Sequence, residues 1–379
     1  MLIRGRAPLR ISFAGGGTDL SPYVQEKGGV VLNATIDRYA YATLRFPSER
    51  VIRVQSLDYK TVTQFGFDEP LTYDGNFDLV KACLTRLRVG ADPMEGGLEL
   101  YLETEAPPGS GLGASSAVVV AVIGALRTWR HLAIDKYDLA RTAWEVERID
   151  VGVPGGMQDQ YAAAFGGFNL IEFRTTSDVI VNPLRIDPRI IQELQYNMLL
   201  VFTGSTRASS RIIEAQVAGY VDRKPGVTEA LDRMKALTFD AKDALLTGRL
   251  QDLGEILHEE FLAKRQTAES VAPPHIEEMY EEARRRGVIG GKVSGAGGGG
   301  FMFLYCPYDR KPAVSERLTE MGAQVLPVAF EPDGLQSWAI DRPASPTMAR
   351  HVPGRWAEAL ARDTLASSDG WSADVAPPR

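Results

Sequence analysis

The sequence predicts a two-domain α+β protein, and three observations support this prediction. The chain has 379 residues, of which 44% are hydrophobic, and this is enough for two separate cores. Strand-like and helical segments alternate through the first half, whereas long helical patterns dominate after Pro183. Three glycine clusters, at 15–17, 109–113 and 295–300, each adjoin a predicted strand or helix. We therefore expect a mixed α/β domain over residues 1–184, a second domain over 185–341 and a C-terminal extension over 342–379.

Hydrophobic periodicity predicts the individual elements of the first domain. Alternation of apolar and polar residues indicates strands at 9–13, 30–36, 39–46 and 98–102. Apolar residues at helical spacing indicate helices at 117–130 and 137–149. The segment 158–173 is typical of a helix that ends at Gly166 and Gly167 and is followed by a strand.

The second half has a different texture. It begins with a predicted strand at 198–202, and helical patterns follow at 209–220, 228–246 and 250–268. From about residue 342 the chain is rich in Ala, Pro and Ser, with one amphipathic piece at 355–365. This composition is typical of a poorly ordered or docked extension.

Charge and composition exclude several classes of protein. With 42 basic and 49 acidic residues the net charge is −7, which disfavours a nucleic-acid binder or a membrane-surface binder. The two cysteines, Cys83 and Cys306, do not provide a disulfide framework or a thiolate metal site. The segment MLIRGRAPLR lacks the apolar core of a signal peptide, and the longest apolar run, near 117–126, is too short to span a bilayer. We expect a cytoplasmic enzyme with small-molecule partners; a homodimer is compatible with the sequence, which leaves the oligomeric state open.

The central glycine cluster predicts an anion site. Residues 107–117 read PPGSGLGASSA and lead into the apolar stretch VVVAVIGAL, so a glycine-rich turn is joined to the N-terminus of a buried helix that begins near Ser115. Gly109, Gly111 and Gly113 permit backbone angles that side chains forbid and a close approach of amides to a ligand. The helix N-terminus adds unpaired N–H groups and the positive end of its dipole. Ser115 and Ser116 are placed to cap the helix or to hold a metal on the phosphates; a plain serine-capped turn is the alternative.

Two standard nucleotide motifs do not fit this chain. A dinucleotide-binding GxGxxG turn has a different glycine spacing from the GGGTDLSPY segment, which also has a proline at 22. A Walker loop requires GxxxxGK followed by Ser or Thr, and this pattern does not occur in the sequence.

Three motifs in this order resemble the signature motifs of the GHMP small-molecule kinases: RAPLRISFAGGGTD at 6–19, PPGSGLGASSA at 107–117 and KVSGAGGGGF at 292–301. The GGGTD variant resembles the D-glycero-D-manno-heptose 7-phosphate kinases and, less closely, the fucokinases. The resemblance implies a ribosomal protein S5 domain 2-like N-terminal domain and a ferredoxin-like C-terminal domain. It also implies that MgATP is used and that the nucleotide is bound by Pro108, Gly109, Ser110, Gly111, Leu112, Gly113, Ala114, Ser115 and Ser116.

Phosphoryl transfer needs a metal to offset charge and a group that orients the acceptor. Glu147 borders the apolar stripe of its predicted helix, and the resemblance makes it, with Ser115, the Mg²⁺ site; an ion pair at the helix edge is the alternative. Asp159 resembles the family's base, although a helix cap is also compatible with it. Arg10 matches the arginine of the first motif and is expected beside Asp159, where it would stabilise developing negative charge; otherwise it is a strand-end surface residue.

The acceptor site is predicted from the resemblance and from residue chemistry. Gly17, Thr18 and Asp19 follow the first glycine turn, where similar kinases hydrogen-bond sugar hydroxyls. The stretch VFTGSTRASSR, 201–211, resembles the corresponding stretch of heptose kinases. Arg207 is expected to bind a phosphate of the acceptor through its fork of donors, and an exposed loop residue is the alternative. The full substrate set predicted is Gly17, Thr18, Asp19, Gly156, Asp159, Thr203, Gly204, Thr206, Arg207, Gly297 and Gly298.

The resemblance implies an ATP-dependent kinase that phosphorylates the anomeric hydroxyl of D-glycero-D-manno-heptose 7-phosphate, in a route to nucleotide-activated heptose. A fucokinase-like or other free-sugar 1-kinase is the enzymatic alternative, and it would not need a phosphate pocket near Arg207. A sensor of GHMP fold that binds sugar and ATP without turnover is the alternative from another class. The third glycine motif, 294–300, is expected to fold back against the phosphate turn.

Overall fold

The computed structural model describes residues 1–58, 60–66, 69–90, 96–107, 109–205 and 209–340. The chain through Asp341 belongs to one unit. The predicted extension 342–379 lies outside the described residues, as do the predicted site residues Pro108, Thr206 and Arg207. No helix of the described residues is long and apolar enough to cross a membrane.

In chain order, the described strands are β1 Leu2–Ala14, β2 Gly29–Arg45, β3 Val51–Ser56, β4 Thr61–Gly66, β5 Leu98–Thr104, β6 Phe168–Phe173, β7 Val179–Pro183, β8 Met198–Phe202, β9 Gly290–Val293, β10 Phe301–Tyr305, β11 Gln324–Leu326 and β12 Gln336–Ile340. The helices are α1 Tyr23–Lys27, α2 Asp78–Arg86, α3 Ala114–Trp129, α4 Lys136–Glu145, α5 Gln158–Phe165, α6 Pro188–Asn197, α7 Ser209–Val221, α8 Val227–Leu246, α9 Leu250–Arg265, α10 Pro274–Arg285 and α11 Lys311–Glu320. A single π-helical turn, Val146–Asp150, extends α4.

The first sheet has the strand order β12-β1-β2-β5-β3-β4, and β6 pairs with β2 and with β7. The long strand β2 serves two partners, since its residues 40–45 pair with β5 and its residues 29–34 pair with β6. Helix α3 packs on this sheet because nearly all of its side chains are apolar and buried. A Cβ at Gly5 of β1 would lie 2.1 Å from the Ala121 carbonyl oxygen, so glycine is needed for this close approach.

The second sheet is antiparallel with the order β11-β8-β10-β9. Counted from β8, this is the 4-1-3-2 order of a ferredoxin-like fold. Its core lies between the sheet and helices α9, α10 and α11 and contains Phe261, Tyr280, Met302, Leu304 and Leu318.

Most predicted elements occur, with some different bounds. The strand predicted at 198–202 is β8, and the helices predicted at 117–130 and 228–246 are α3 and α8. The strands predicted at 30–36 and 39–46 are one strand, β2, because residues 37–38 continue the extended chain. The strand predicted at 9–13 begins at Leu2, because β2 and β12 pair with this part of β1 despite its weak alternation. Some elements were not predicted, namely strands β3, β4, β7, β9, β11 and β12 and helices α1, α2, α6 and α11. The domain boundaries stay a prediction.

Candidate active site

The phosphate turn has the backbone that its glycines predicted. The φ angles of Gly109, Gly111 and Gly113 are +70°, +77° and +76°, in the left-handed region that favours glycine. Gly113 is the N-cap residue of α3, and no side chain caps this helix. The first amides of α3 are therefore free to bind an anion, as is usual at a helix N-terminus.

The third glycine motif packs directly on this turn, as the sequence predicted. The Ser110 carbonyl accepts a hydrogen bond from the Phe301 N–H at 2.9 Å, and the Gly111 carbonyl accepts one from Ser294 Oγ at 2.9 Å. A Cβ at Gly300 would lie 2.3 Å from the Ser110 carbonyl oxygen. Because Gly300 has no side chain, the backbone just before β10 can lie directly against the backbone of the phosphate turn.

Arg10 and Asp159 form a partly buried ion pair next to the turn, since the Asp159 side chain is 21% exposed. Arg10 Nε donates to Asp159 Oδ1 at 2.8 Å, and Arg10 Nη2 lies 2.6 Å from the same oxygen. The other guanidinium nitrogen donates to the Gly111 carbonyl at 2.6 Å. The Arg10 side chain is only 4% exposed, so it is an interior residue and not a strand-end surface arginine. One arginine thus connects the predicted base to the predicted phosphate site.

Asp159 is the second residue of α5 and does not cap that helix. The N-cap position is occupied by Met157, without a side-chain cap from that residue. Instead, Asp19 Oδ2 accepts the N–H groups of Met157 and Gln158 at 2.9 and 3.1 Å. Sequence reasoning missed this role of Asp19, which holds the helix that carries Asp159.

Glu147 belongs to a second polar cluster, which contacts the first turn of α3 through Ser116. The residue is 1% exposed, and its Oε2 accepts a hydrogen bond from Ser116 Oγ at 2.7 Å. Gln160 Nε2 donates to the same oxygen, and Arg148 Nη2 lies 3.3 Å from it. The structure therefore brings Ser116 to Glu147, whereas Ser115 is exposed and lines the neighbouring cleft.

A cleft of about 1030 Å³ is lined by the phosphate turn and by the Arg10–Asp159 pair, whereas Glu147 and Ser116 do not line it. Its lining includes Arg10, Gly17, Asp19, Gly156, Asp159, Ser115 and the glycines of the phosphate turn. Of the third glycine motif, Gly295 and Ala296 line the cleft. This volume is slightly above the upper end of the range that is typical of sites for small molecules and cofactors.

Some predicted acceptor residues lie away from the cleft. Thr18 is fully buried, and its hydroxyl donates to the carbonyls of Gly15 and Val30 at 2.8 and 2.9 Å. Thr203 is 3% exposed and donates to the Gly300 carbonyl at 3.0 Å. Gly297 and Gly298 are buried and Gly204 also does not line the cleft. The hydroxyls of Thr18 and Thr203 are used within the protein, so these two residues support the walls of the site.

The far wall of the cleft was missed by the sequence analysis. It is formed by the β3–β4 hairpin, through Ser56 and Thr61–Thr63, and by residues 75–80 at the start of α2. Phe77 is the N-cap residue of α2 and has a φ of +55°. A positive φ is uncommon at a bulky residue. In the sequence, only the turn-forming residues DGN at 74–76 indicated that regular structure is interrupted here.

Three buried charges hold the first glycine turn from behind. Lys264 Nζ donates to the Gly16 carbonyl at 2.6 Å, and Glu260 Oε1 accepts the Gly15 N–H at 2.7 Å. Glu260 also pairs with Lys292 at 3.0 Å, with both side chains at most 3% exposed. Burial and, next, the nearby charge of Lys292 lower the pKa of Lys264 to about 8. Helix α9 and strand β9 therefore fix the turn that leads to Asp19.

A site with free helix amides, left-handed glycines and the carboxylates of Asp159 and Glu147 is suited to hold phosphates while an adjacent hydroxyl reacts, which is the work of a small-molecule kinase. Comparison with known families agrees with this class. Residues 78–167 match the GHMP kinases N terminal domain, and residues 241–324 match the GHMP kinases C terminal domain. The chain belongs to the GHMP kinase family.

The similar proteins include sugar kinases. A D-glycero-alpha-D-manno-heptose 7-phosphate kinase of Campylobacter jejuni is 37% identical over 338 residues, which cover 89% of this chain and 99% of that protein. The crystal structure of a D-glycero-D-manno-heptose 1-phosphate kinase from Bacteroides thetaiotaomicron superposes with a TM-score of 0.75 at 35% identity and covers 90% of this chain and all of that one. An L-fucokinase/L-fucose-1-P guanylyltransferase of Bacteroides fragilis is 27% identical and is matched over 34% of its length.

These findings confirm the predicted family and the two-domain GHMP kinase fold. The protein is a sugar kinase of the heptose phosphate kinase type, with ATP as its co-substrate. The fucokinase alternative is not favoured, since those relatives are less similar. The roles of individual site residues stay predictions.

Proposed function

We propose that this sugar kinase transfers the γ-phosphoryl group of MgATP to the anomeric hydroxyl of D-glycero-D-manno-heptose 7-phosphate and forms the 1,7-bisphosphate. The proposal is supported most by the Arg10–Asp159 pair, which lies in the cleft between the phosphate turn and the expected acceptor site. The names of the two heptose phosphate relatives differ in the position of the existing phosphate. We adopt the 7-phosphate, which the GGGTD motif also implies.

ATP phosphates would bind to the amides of residues 109–116, because these amides and the dipole of α3 favour negative charge. A carboxylate and hydroxyl oxygens are the donors that Mg²⁺ prefers, and Glu147 with Ser116 or Ser115 offers such a set. The ion would neutralise charge on the phosphates when it is bound. Gln160 and Arg148 keep the Glu147 carboxylate oriented.

Asp159 would orient the anomeric hydroxyl and take its proton at a carboxylate oxygen, since Oδ2 is free of the contacts that Arg10 makes with Oδ1. Arg10 would hold this carboxylate in place and stabilise the charge that develops on the transferred group. The 7-phosphate would bind near 203–211; of this stretch Ser209 and Ser210 line the cleft, and Thr206 and Arg207 lie outside the described residues.

A coupled ADP-release assay tests the proposal. MgATP is combined with heptose 7-phosphate, heptose 1-phosphate, fucose, galactose or mannose, for the wild type, Asp159→Asn and the exposed control Asp178→Asn. Turnover is expected with heptose 7-phosphate, with kcat about 10²- to 10⁴-fold lower in Asp159→Asn and unchanged in the control. Preference for another sugar would overturn the substrate, and full activity of Asp159→Asn would overturn the mechanism. Binding of sugar and ATP without any turnover would favour the sensor.

A further inference from the structure

Gln158 lines the cleft directly before Asp159 and has an unused hydrogen-bonding group. Its side chain is 9% exposed, and its Oε1 is buried without a hydrogen-bond partner among the described residues. Its backbone N–H is bound by Asp19, so α5 begins at a fixed position. The carboxamide is therefore held at the cleft while one of its polar atoms stays unpaired.

The Gln158 carboxamide has space because the residue next to it, Gly16, has no side chain. A Cβ on Gly16 would lie 3.2 Å from Gln158 Nε2 and 3.1 Å from Ser12 Oγ, so a larger residue would press on both. The Ser12 hydroxyl is also buried and has no partner in the part of the chain that the structure describes. Two unpaired polar groups thus flank the glycine turn that is expected to contact the acceptor.

An unpaired buried polar group costs about 1–3 kcal/mol, so it is kept where something else binds it. An apolar side chain of the same length would remove this cost. A carboxamide offers one acceptor and two N–H donors, and a sugar hydroxyl both donates and accepts. The chemistry of the group therefore matches a polyol better than it matches a phosphate, which has no donor when ionised.

We propose that the Gln158 carboxamide binds a hydroxyl of the acceptor sugar and helps to select the acceptor; this rests on the proposed function. Consecutive residues of a helix diverge by about 100°, so Gln158 and Asp159 face different atoms of a bound sugar. The hydroxyl that Gln158 binds is thus a second one, distinct from the hydroxyl that is phosphorylated. Gln158 is a specificity-determining residue in this scheme.

The test compares Gln158→Met with Gln216→Met. Methionine keeps the length of glutamine and removes its donors and acceptor. Gln216 is the matched control, because it is 6% exposed and its Nε2 also lacks a partner among the described residues, but it lines a small cavity near Tyr220 that shares only Gly17 and Leu20 with the cleft. The preferred acceptor of the wild type is established first, and KM for that acceptor, KM for ATP and the melting temperature are then measured for all three proteins.

We expect Gln158→Met to raise KM for the acceptor by about tenfold, which corresponds to one or two neutral hydrogen bonds. KM for ATP should stay near the wild-type value, the melting temperature should not fall because the unpaired polar group is removed, and Gln216→Met should leave both KM values unchanged. Deoxy analogues of the preferred acceptor locate the hydroxyl: the wild type should discriminate against one analogue, and Gln158→Met should lose that discrimination.

The outcomes separate this inference from the proposed function. If the preferred acceptor is a different sugar, the substrate proposal fails and the Gln158 comparison is read with that sugar. If there is no turnover, calorimetric binding of the same sugars replaces KM. The role of Gln158 would be overturned if Gln158→Met left both the acceptor KM or affinity and the discrimination among analogues unchanged. It would also be overturned if the variant lost affinity equally for ATP and for the acceptor and had a lower melting temperature.

Discussion

The buried charges behind the first glycine turn lead to a sharp prediction for Glu260→Gln. Glu260 is fully buried and accepts both the Gly15 N–H, at 2.7 Å, and Lys292 Nζ, at 3.0 Å. Its replacement leaves the Lys292 ammonium buried without its carboxylate, near the second buried ammonium of Lys264. Removing one partner of such a pair costs about 3–5 kcal/mol, because the remaining charge has lost both water and its partner.

The neighbouring residue gives a matched control. Glu259 precedes Glu260 on α9 and pairs with Arg233, and both of these side chains are about half exposed. Glu259→Gln should therefore cost less than about 1 kcal/mol, since water screens an exposed pair. Urea unfolding followed by circular dichroism measures the free energy of unfolding of both variants.

A double variant tests the cause. Glu260→Gln with Lys292→Met keeps an acceptor for the Gly15 N–H and removes the unpaired charge, so it should recover at least half of the lost stability. Equal losses in Glu260→Gln and Glu259→Gln would refute the reasoning. A double variant that is less stable than Glu260→Gln would show that the lysine charge is not the source of the cost.

Three further predictions concern the site. Glu147→Gln and Ser116→Ala should each raise the Mg²⁺ concentration that is needed for a half-maximal rate, because each removes an oxygen donor or a group that supports one. Initial rates at varied Mg²⁺ concentration test this. Gly300→Ala should raise KM for ATP, since its Cβ meets the Ser110 carbonyl, whereas Gly322→Ala, with a similar φ of +86° and nothing within 4 Å, should not. Lys264 has a folded pKa of about 8, below its unfolded value of 10.5, so the unfolded chain binds more protons between these pH values. The stability of the wild type relative to Lys264→Met should therefore rise by about 3 kcal/mol from pH 8 to pH 10.5, and a flat difference in urea unfolding would contradict this.

The glycine turns were predictable because their signal is local. A turn that binds phosphate needs left-handed residues in a short segment, and Gly109, Gly111 and Gly113 provide them within five positions. The pairing of Arg10 with Asp159 has no local signal, because the residues are 149 positions apart. It was predicted only from the resemblance to a family.

Other features depend on contacts that no local pattern specifies. Asp19 was expected to bind sugar, and its chemistry is equally suited to the helix amides at 157 and 158, which its carboxylate accepts. Thr18 was expected beside it, yet the tight turn directs its hydroxyl to backbone carbonyls. Strands β3 and β4 were missed because both are only partly buried and their apolar alternation is short. Whether a polar group meets ligand or backbone is decided by tertiary contacts.

The pairing of β12 with β1 has a consequence for the synthesis of the chain. Leu2 lies opposite Ile340 in this pair, so β1 leaves the ribosome long before its edge partner, which is among the last of the described residues. Until then, one edge of β1 presents free N–H and C=O groups to other chains in the cell. Such a distant contact is slow to form, and a nascent chain interrupted before residue 336 would keep this edge open. We therefore expect truncation of the chain, or a pause in its translation, in this region to promote aggregation before it lowers the catalytic activity.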